Sequence, residues 1–355
     1  MAIQNYNTVA SRNLIRAAMD MLDHAEPITV LGDFGVQREM PQNQTDTLVF
    51  RRCLPFGAVA AGSTVEAGGG ARYAGTPVVT PSNFVLAEGT TPTANTVTFQ
   101  DISVTLNNYG ILYKYSSKVE LMYEDDIPAE LVKQTGETMA EILELVRYGV
   151  LKAGSTVIYS NGSSRAAVNT AVTLNTFRKA ARTLEANRAK RVTSRIAPGP
   201  DFATRSVQPA YLVFCHTDVS ADVRNLSNFT KVEEYAAFKP VHPREFGAAE
   251  QFRFIDSPLF APFLAAGAAI GSSGMISVGA ANVDVYPILV VAADAWGQVA
   301  LKGMSAIKPV SLKPSTVNHA NPLGLFGYVG ANTWFNAVRL NEAWMARVEA
   351  GATAL

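Results

Sequence analysis

The sequence predicts an α+β fold in which short strands are dispersed along the chain around one long helix. Three observations indicate it: runs of alternating apolar residues, a helical pattern of about 26 residues, and about forty residues between two strands that follow neither period. No βαβ repeat is present, which argues against a doubly wound parallel sheet. The chain has 355 residues, of which 48% are hydrophobic, so it can bury a sizeable core.

The charge balance excludes some classes of function. Lysine plus arginine and aspartate plus glutamate both number 30, so the formal net charge is zero. A nucleic-acid-binding chain normally has a basic surplus, whereas copies of a chain without net charge repel one another little. The two cysteines, Cys53 and Cys215, indicate a reducing compartment and no disulfide framework.

No membrane segment is expected. The first twenty residues lack the apolar core of a secretory signal. Residues 257–283 carry no charge and are long enough for a membrane helix. They consist largely of small residues with two prolines, however, so few large apolar side chains favour insertion. We predict a buried or interface-covered loop region there.

The chain opens with a predicted helix over residues 11–24 and a strand in residues 45–56, TDTLVFRRCLPF. Successive side chains of a strand point to opposite faces, so Arg51 and Arg52 are expected on opposite sides. Two interpretations of the pair remain open at this point. The pair either lies at a solvated strand end, or one arginine stabilises the subunit's own fold and the other makes a contact elsewhere.

Residues 57–96 form a predicted arm with seven glycines and three charged residues. Unstructured loops beyond roughly 12–15 residues are uncommon in compact domains unless they have a function. Residues 97–119 then alternate as strands, with a break at Asn107–Asn108. Because strands bracket the loop, we expect them to pair antiparallel at its base and form a long hairpin-like arm.

The strongest helical pattern covers residues 125–154. Asp126 is a suitable N-cap, Pro128 suits the first turn, and Gly154 is a natural end. Acidic residues crowd the N-terminal end, as the helix dipole favours. The predicted buried stripe consists of Leu131, Thr135, Met139, Ile142, Val146 and Val150.

The remaining elements are shorter. A helix is predicted over residues 174–190, followed by a strand over 211–215 that runs into a helix capped by Thr217 or Asp218. Further strands are predicted in residues 251–256 and 284–296, and the C-terminal residues 333–351 alternate as two strands about Asn341–Glu342.

We find no catalytic, cofactor or metal site. The four histidines do not form a metal-binding pattern, and the glycines of residues 68–72 lack the lysine of a phosphate-binding loop. His216, Asp218 and Ser220 are close in sequence, but a nucleophile and its base need closeness in space. The basic residues around 178–195 form either a solvated face or a surface for nucleic acid or an acidic neighbour.

Five segments in series resemble the major capsid proteins of tailed bacteriophages, most of all the coliphage N-four-like capsid family. The segments are TDTLVFRRCLP (45–55), AEGTTPTA (87–94), VTLNNYGILYKYS (104–116), GVLKAGSTVIYSNG (149–162) and YVGANTWFNAVRLNEAWMARVEAG (328–351). The resemblance covers roughly residues 30–350, and the match is weaker over 240–281. It implies the Hong Kong 97 capsid fold.

That fold implies a division of the chain. Residues 1–44 are expected to be an N-terminal arm and residues 45–107 an extended E-loop. Residues 108–172 are expected to belong to the P domain, with a spine helix over 128–153. Residues 173–316 are expected to form the A domain, and residues 317–355 the strands that return to the P domain.

The resemblance implies a structural function. The protein is expected to assemble as hexamers and pentamers into the icosahedral head of a tailed phage, in the host bacterial cytoplasm, and to enclose double-stranded DNA without sequence specificity. A separate scaffolding protein is expected because no long charged helical segment precedes the arm. A portal protein and a cement or decoration protein are further candidate partners.

In this fold the E-loop lies over an adjacent subunit, which supplies the core that the loop lacks. One of the two arginines is therefore expected to meet a carboxylate of the neighbouring chain. The residues expected at contacts between subunits are Arg51, Arg52, Glu88, Glu137, Glu141 and Glu144.

Two alternatives belong to other classes. An encapsulin-like cellular compartment has the same fold and differs in enclosing protein cargo. A soluble hydrolase that uses His216 would be a monomer in solution.

Overall fold

The computed structural model describes residues 29–53, 81–89, 91, 94, 97, 99–122, 127–196, 204–235, 239–271, 273–303, 307–317, 319 and 321–355. The predicted helix over 11–24, the part of the arm over 57–80 and the acidic residues 124–126 lie outside these ranges.

The described residues form fifteen strands, four α-helices and several short 3-10 helices. The strands are β1 (Val36–Met40), β2 (Thr47–Cys53), β3 (Phe99–Thr105), β4 (Asn107–Ser116), β5 (Val157–Tyr159), β6 (Val192–Ile196), β7 (Thr204–Cys215), β8 (Phe229–Lys231), β9 (Glu245–Ala249), β10 (Phe252–Asp256), β11 (Tyr286–Val291), β12 (Trp296–Leu301), β13 (Lys308–Leu312), β14 (Phe326–Arg339) and β15 (Met345–Ala350). The helices are α1 (Ser117–Met122), α2 (Ile127–Lys152), α3 (Leu174–Ala186) and α4 (Ser220–Arg224).

The chain divides into two compact units, each made of three stretches. The first unit comprises the residues up to Leu48, Val104–Tyr148 and Gln298–Val338. The second comprises Val49–Ser103, Gly149–Gly297 and Arg339–Leu355.

The second unit is built on an eight-stranded sheet with the order β5-β15-β11-β7-β10-β9-β8, in which β6 also pairs with β7. Most pairs whose register is defined are antiparallel, but β10 pairs with β7 and β15 with β5 in parallel. All six residues of β11 are buried. Helix α3 covers one face, because its apolar residues recur at helical spacing and pack on the strands.

Aromatic side chains fill the core between α3 and this sheet. The rings of Phe177 on α3 and Phe254 on β10 meet edge to face, with centroids 5.2 Å apart. Phe252 lies 5.6 Å from Phe177 in a tilted arrangement. Such arrangements suit the charge distribution of aromatic rings, and they join residues far apart in sequence.

The first unit contains most of a five-stranded sheet and most of helix α2. The strand order is β1-β12-β14-β13, and β4 pairs with β14. Ile111 of β4 lies opposite Ala331 of β14 in the antiparallel register. Met139 of α2 packs on Ala331, and Val132 and Ile142 pack beside it. One face of the sheet is therefore covered by α2.

The structure confirms the long helix and corrects its buried stripe. Helix α2 has 26 residues, and Thr135 and Met139 are fully buried, as predicted. In its second half, Ile142, Val146 and Val150 are only half-buried. The buried residues there are Glu144, Arg147, Tyr148 and Leu151. The expectation of an apolar stripe was wrong at this point, because two charged residues are buried with partners from distant parts of the chain.

Other predicted elements are confirmed. Strand β2 occupies the predicted stretch, and β2 pairs with β3 in a separate two-stranded sheet at the base of the arm. The break between β3 and β4 falls at Leu106, one residue earlier than expected. Residues 257–283 run mostly as irregular chain with isolated bridges, as expected, but most of their described side chains are half-buried or exposed and not buried. Among the described helices, none is long and apolar enough to span a bilayer.

Candidate assembly surface

The two-stranded sheet of β2 and β3, which we call the ribbon, has two different faces. Alternate residues of both strands are exposed, and the residues between them are half-buried or buried. The exposed face includes the large apolar side chains Val49 and Phe99, each more than half exposed. A two-stranded sheet is at best marginally stable alone in water. Its exposed apolar side chains therefore make it a candidate surface for contact with another chain.

The structure places Arg51 and Arg52 on opposite faces of this ribbon. On the exposed face, Arg51 donates from Nε and Nη2 to the two carboxylate oxygens of Asp101, at 2.7 and 2.8 Å. This hydrogen bond lowers the pKa of Asp101. On the other face, Arg52 donates from Nε and Nη2 to Oε1 of Gln100, at 3.0 and 2.5 Å. Each arginine thus has a partner on the adjacent strand of its own chain.

The four glutamates that the sequence suggested lie in different environments. Glu88 is exposed and lies two residues after the exposed apolar pair Val85 and Leu86. Glu137 and Glu141 are half-buried on α2. Glu144 is fully buried. The structure therefore does not bring the four together, and it removes Glu144 from the surface that a neighbour could reach.

Glu144 instead holds a segment of its own chain. The backbone N–H groups of Val30 and Leu31 donate to its Oε1, at 3.1 and 2.7 Å. Arg147, one turn along α2, donates from Nη1 to Oε2 at 3.5 Å. Burial raises the pKa of Glu144, whereas these donors act in the opposite direction.

Gln298 of β12 completes this buried network. Its Oε1 accepts from Arg147 Nε at 2.9 Å, and its Nε2 donates to the carbonyl oxygens of Gly32 and Phe34 at 2.9 and 3.2 Å. The backbone of residues 30–34 is thus hydrogen-bonded by side chains from two distant elements. Sequence periodicity could not identify this network, because its three parts, residues 30–34, the pair on α2 and Gln298, are more than a hundred residues apart.

The five-stranded sheet has a second face, on the side opposite α2, which we call the open face. Leu112, Gly330 and Val310 lie side by side across β4, β14 and β13. The neighbouring row holds Lys114, Tyr328 and Leu312.

Most of the large side chains of the open face are exposed. Leu112 is 60% exposed, and Val310, Leu312 and Phe326 are each more than a third exposed. Lys114 places its Nζ 3.7 Å from the centre of the Phe326 ring. Sequence reasoning missed this face. The sequence feature that could have indicated this face is Leu112, an apolar residue on the side of β4 opposite Ile111 and Tyr113.

His216 and Asp218, the candidate catalytic residues, have structural partners. The ring Nδ1 of His216 accepts a hydrogen bond from the backbone N–H of Asp218 at 3.1 Å, so His216 is the N-cap of the 3-10 helix Thr217–Val219. The prediction of Thr217 or Asp218 as the cap was wrong, because the imidazole provides the acceptor. Tyr286 donates its hydroxyl to Asp218 at 2.7 Å. Within the described residues, no group of acidic, cysteine and histidine side chains is arranged to hold a metal ion.

Two members of the basic region around α3 are paired within the chain. Arg178 donates from Nε to Glu250 at 3.0 Å, and Arg191 lies 2.6 Å from Glu185. Cys53 and Cys215 are not joined in a disulfide: Cys53 is exposed and Cys215 is buried.

Comparison with known protein families shows which family the chain belongs to. The family model described as phage capsid protein matches residues 112–310, which is more than half of the chain. The chain belongs to this family. It is a major capsid protein and a structural component of the virion, and the resemblance noted in the sequence is confirmed.

Solved structures of phage capsids show the same fold at low sequence identity. The capsid of Ralstonia phage GP4 is 9% identical, with a TM-score of 0.63, and the match covers 92% of each chain. The capsid of cyanophage Pam1 is 12% identical, with a TM-score of 0.55, covering 94% of this chain and 93% of that one. The cyanophage P-SCSP1u capsid is 14% identical, with a TM-score of 0.54, covering 92% and 89%.

The search of curated proteins by sequence finds no match. The likeness to the solved capsids confirms the predicted α+β capsid fold of the Hong Kong 97 type. The boundaries of the N-terminal arm, the E-loop, the P domain and the A domain stay predictions. A structural role, and not an enzymatic one, is what the family supports.

Proposed function

We propose that this capsid protein assembles with copies of itself, as hexamers and pentamers, into the icosahedral head of a tailed phage that encloses double-stranded DNA. Assembly takes place in the cytoplasm of the bacterial host around a separate scaffolding protein. A portal protein and a cement or decoration protein are the other partners. DNA is enclosed without sequence-specific contacts, which agrees with a formal net charge of zero.

The observation that carries this proposal is the β2–β3 ribbon with its exposed apolar face. The ribbon exposes Val49 and Phe99, and the segment that precedes β3 exposes Val85 and Leu86 at 78% and 70%. Exposed apolar side chains that recur along one region indicate a protein–protein contact. In a shell, a neighbouring subunit would cover them. Arg51 lies on this exposed face, and we retain it as a residue that a neighbouring chain contacts.

Deleting residues 60–94 tests this proposal. All of the side chains described within this stretch are exposed, so the deletion removes no described core residue. We expect a shortened protein with the secondary structure of the wild type that sediments as a small species, whereas the wild type forms closed particles. Circular dichroism and sedimentation velocity measure the two properties.

Three outcomes contradict the proposal. Loss of all secondary structure in the shortened protein would show that the arm belongs to the core of its own subunit. A wild-type protein that stays a monodisperse monomer in light scattering, with and without scaffolding protein, would contradict self-assembly. Purified particles that contain protein cargo and no DNA would indicate a cellular compartment in place of a phage head.

A further inference from the structure

The open face, where β4, β14 and β13 lie side by side, is an apolar surface on which the structure describes one positive charge, Lys114. Leu112 and Val310 lie on either side of Gly330, and a Cβ at Gly330 would come within 2.9 Å of a methyl group of Leu112. Glycine at this position leaves room for the Leu112 side chain across β14. Lys114 lies in the next row, with its Nζ over the Phe326 ring and 5.9 Å from the centre of the Tyr328 ring.

The segment of residues 84–88, which we call the arm segment, combines exposed apolar side chains with one negative charge. This composition is complementary to that of the open face. Phe84, Val85 and Leu86 are exposed by 45%, 78% and 70%. Phe84 is the last residue of a 3-10 helix, Pro81–Phe84, and Val85 and Leu86 follow it and precede Glu88, which is also exposed. Glu88 is the only charged residue between Arg72 and Asp101.

We propose that the arm segment of one copy docks on the open face of a second copy, with Glu88 of the first copy paired with Lys114 of the second. The proposal rests on the proposed function, since it assigns the partner of a surface in the assembled shell. It adds the docking face and the one ion pair that orients the segment.

Two properties of the surfaces favour a second copy as the occupant. Both are rich in exposed apolar side chains. Among the side chains that the structure describes on them, each carries one exposed charge, and the two charges are opposite, so apolar burial and charge complementarity are satisfied together. Neither Glu88 nor Lys114 takes part in the ion pairs formed among the described residues. Arg51, in contrast, already forms an ion pair with Asp101 of its own chain.

Charge reversal tests the pairing. We expect Glu88→Lys and Lys114→Glu each to raise the protein concentration needed for particle formation about fivefold or more at low salt, because an attraction becomes a repulsion at every copy of the contact. The melting temperature of each unassembled variant stays near that of the wild type, since both side chains are exposed. The double variant, Glu88→Lys with Lys114→Glu, recovers assembly.

Mixing the two single variants identifies the occupant as a second copy. In an equal mixture, Lys at position 88 of one copy meets Glu at position 114 of the other, and the reverse pair retains its native charges. The mixture therefore assembles at lower concentration than either variant alone. A contact within one chain would give no such recovery. The advantage of the mixture over the single variants becomes smaller at high salt, where exposed charges are screened.

Lys118→Glu is the matched control, because Lys118 is an exposed lysine on α1 only four residues further along. Combined with Glu88→Lys, it should not recover assembly. The proposal is overturned if the double reversal and the mixture both assemble as poorly as the single variants. It is also overturned if all variants assemble like the wild type at low salt. In either case a wild type that forms particles leaves the proposed function intact.

Discussion

Strand β11 and the β2–β3 ribbon are both rich in large apolar residues, but their surroundings differ. Strand β11 lies between β7 and β15, and all six of its side chains are buried. The ribbon consists of two strands, and one of its faces exposes Val49 and Phe99. The comparison shows that an apolar strand can serve either the core of its own subunit or, as we propose, a contact with another copy.

The largest expected effect comes from placing the same charge in both regions. Val290→Asp buries an unpaired carboxylate in β11, where Val290 is fully buried. This costs several kcal/mol or more, so we expect no soluble folded protein. Val49→Asp, on the exposed face of β2, serves as the matched variant.

The Val49→Asp protein should keep the unfolding midpoint of the wild type in urea, because surface substitutions usually change stability by about 0.5 kcal/mol or less. It should nevertheless assemble at higher concentration than the wild type. Equal loss of folded protein in both variants would show that the ribbon is part of the subunit core.

The buried carboxylate on α2 gives the next largest effect. Glu144→Ala leaves the N–H groups of Val30 and Leu31 without this acceptor and Arg147 without its carboxylate. Removing one partner of a buried ion pair costs about 3–5 kcal/mol, which denaturant unfolding would measure. Glu144→Gln should cost less, since its amide oxygen still accepts hydrogen bonds. Glu141→Ala, at a half-buried position on the same helix, should be near neutral; equal losses in both alanine variants would contradict the network.

Helix α2 also offers a position of intermediate burial. Ile142 is half-buried and packs beside Met139 on Ala331. From the sequence, Ile142→Asp is expected to prevent folding. Because the structure leaves part of this side chain exposed, we now expect a folded protein that is destabilised by about 2–3 kcal/mol. Met139→Asp, at a fully buried position, should give no folded protein. Similar urea midpoints for the two variants would contradict this order.

The smallest expected effects concern the two arginines of the ribbon. Arg52→Glu should lower the stability of the subunit slightly, because Arg52 lies on the half-buried face beside Gln100. Arg51→Glu should leave the melting temperature near that of the wild type and raise the concentration needed for assembly, more so at low salt.

The double variant Arg51→Glu with Asp101→Arg restores the pair within the ribbon. If assembly recovers fully in this variant, Arg51 acts only through Asp101. If it does not, a neighbouring chain contacts Arg51 directly. Because Arg51 lowers the pKa of Asp101, any stability from this pair is present above the unfolded pKa of aspartate, about 3.9, and is lost as the pH falls toward the lowered value.

The elements of the fold could be predicted because their signals are local. Helix α2 has a 3.6-residue pattern with suitable ends, and β2, β3 and β4 have a two-residue alternation that the sequence displays directly. The alternation also placed Arg51 and Arg52 on opposite faces. Four of the five short segments that resemble phage capsid proteins lie within or near these elements, and the fifth covers most of β14 and β15, so the family could be recognised from local stretches of sequence.

The amino-acid sequence by itself thus determined the α+β class, the long helix, the strands at the base of the arm and the capsid family. Only the tertiary structure decided that Glu144 is buried and that one face of the β4–β14–β13 sheet is open. Burial depends on which distant residues arrive beside a side chain: residues 30–32 and Gln298 shield Glu144 and Arg147, and α2 covers Ile111 but not Leu112. Such partners are set by the packing of the whole chain, and no local period records them.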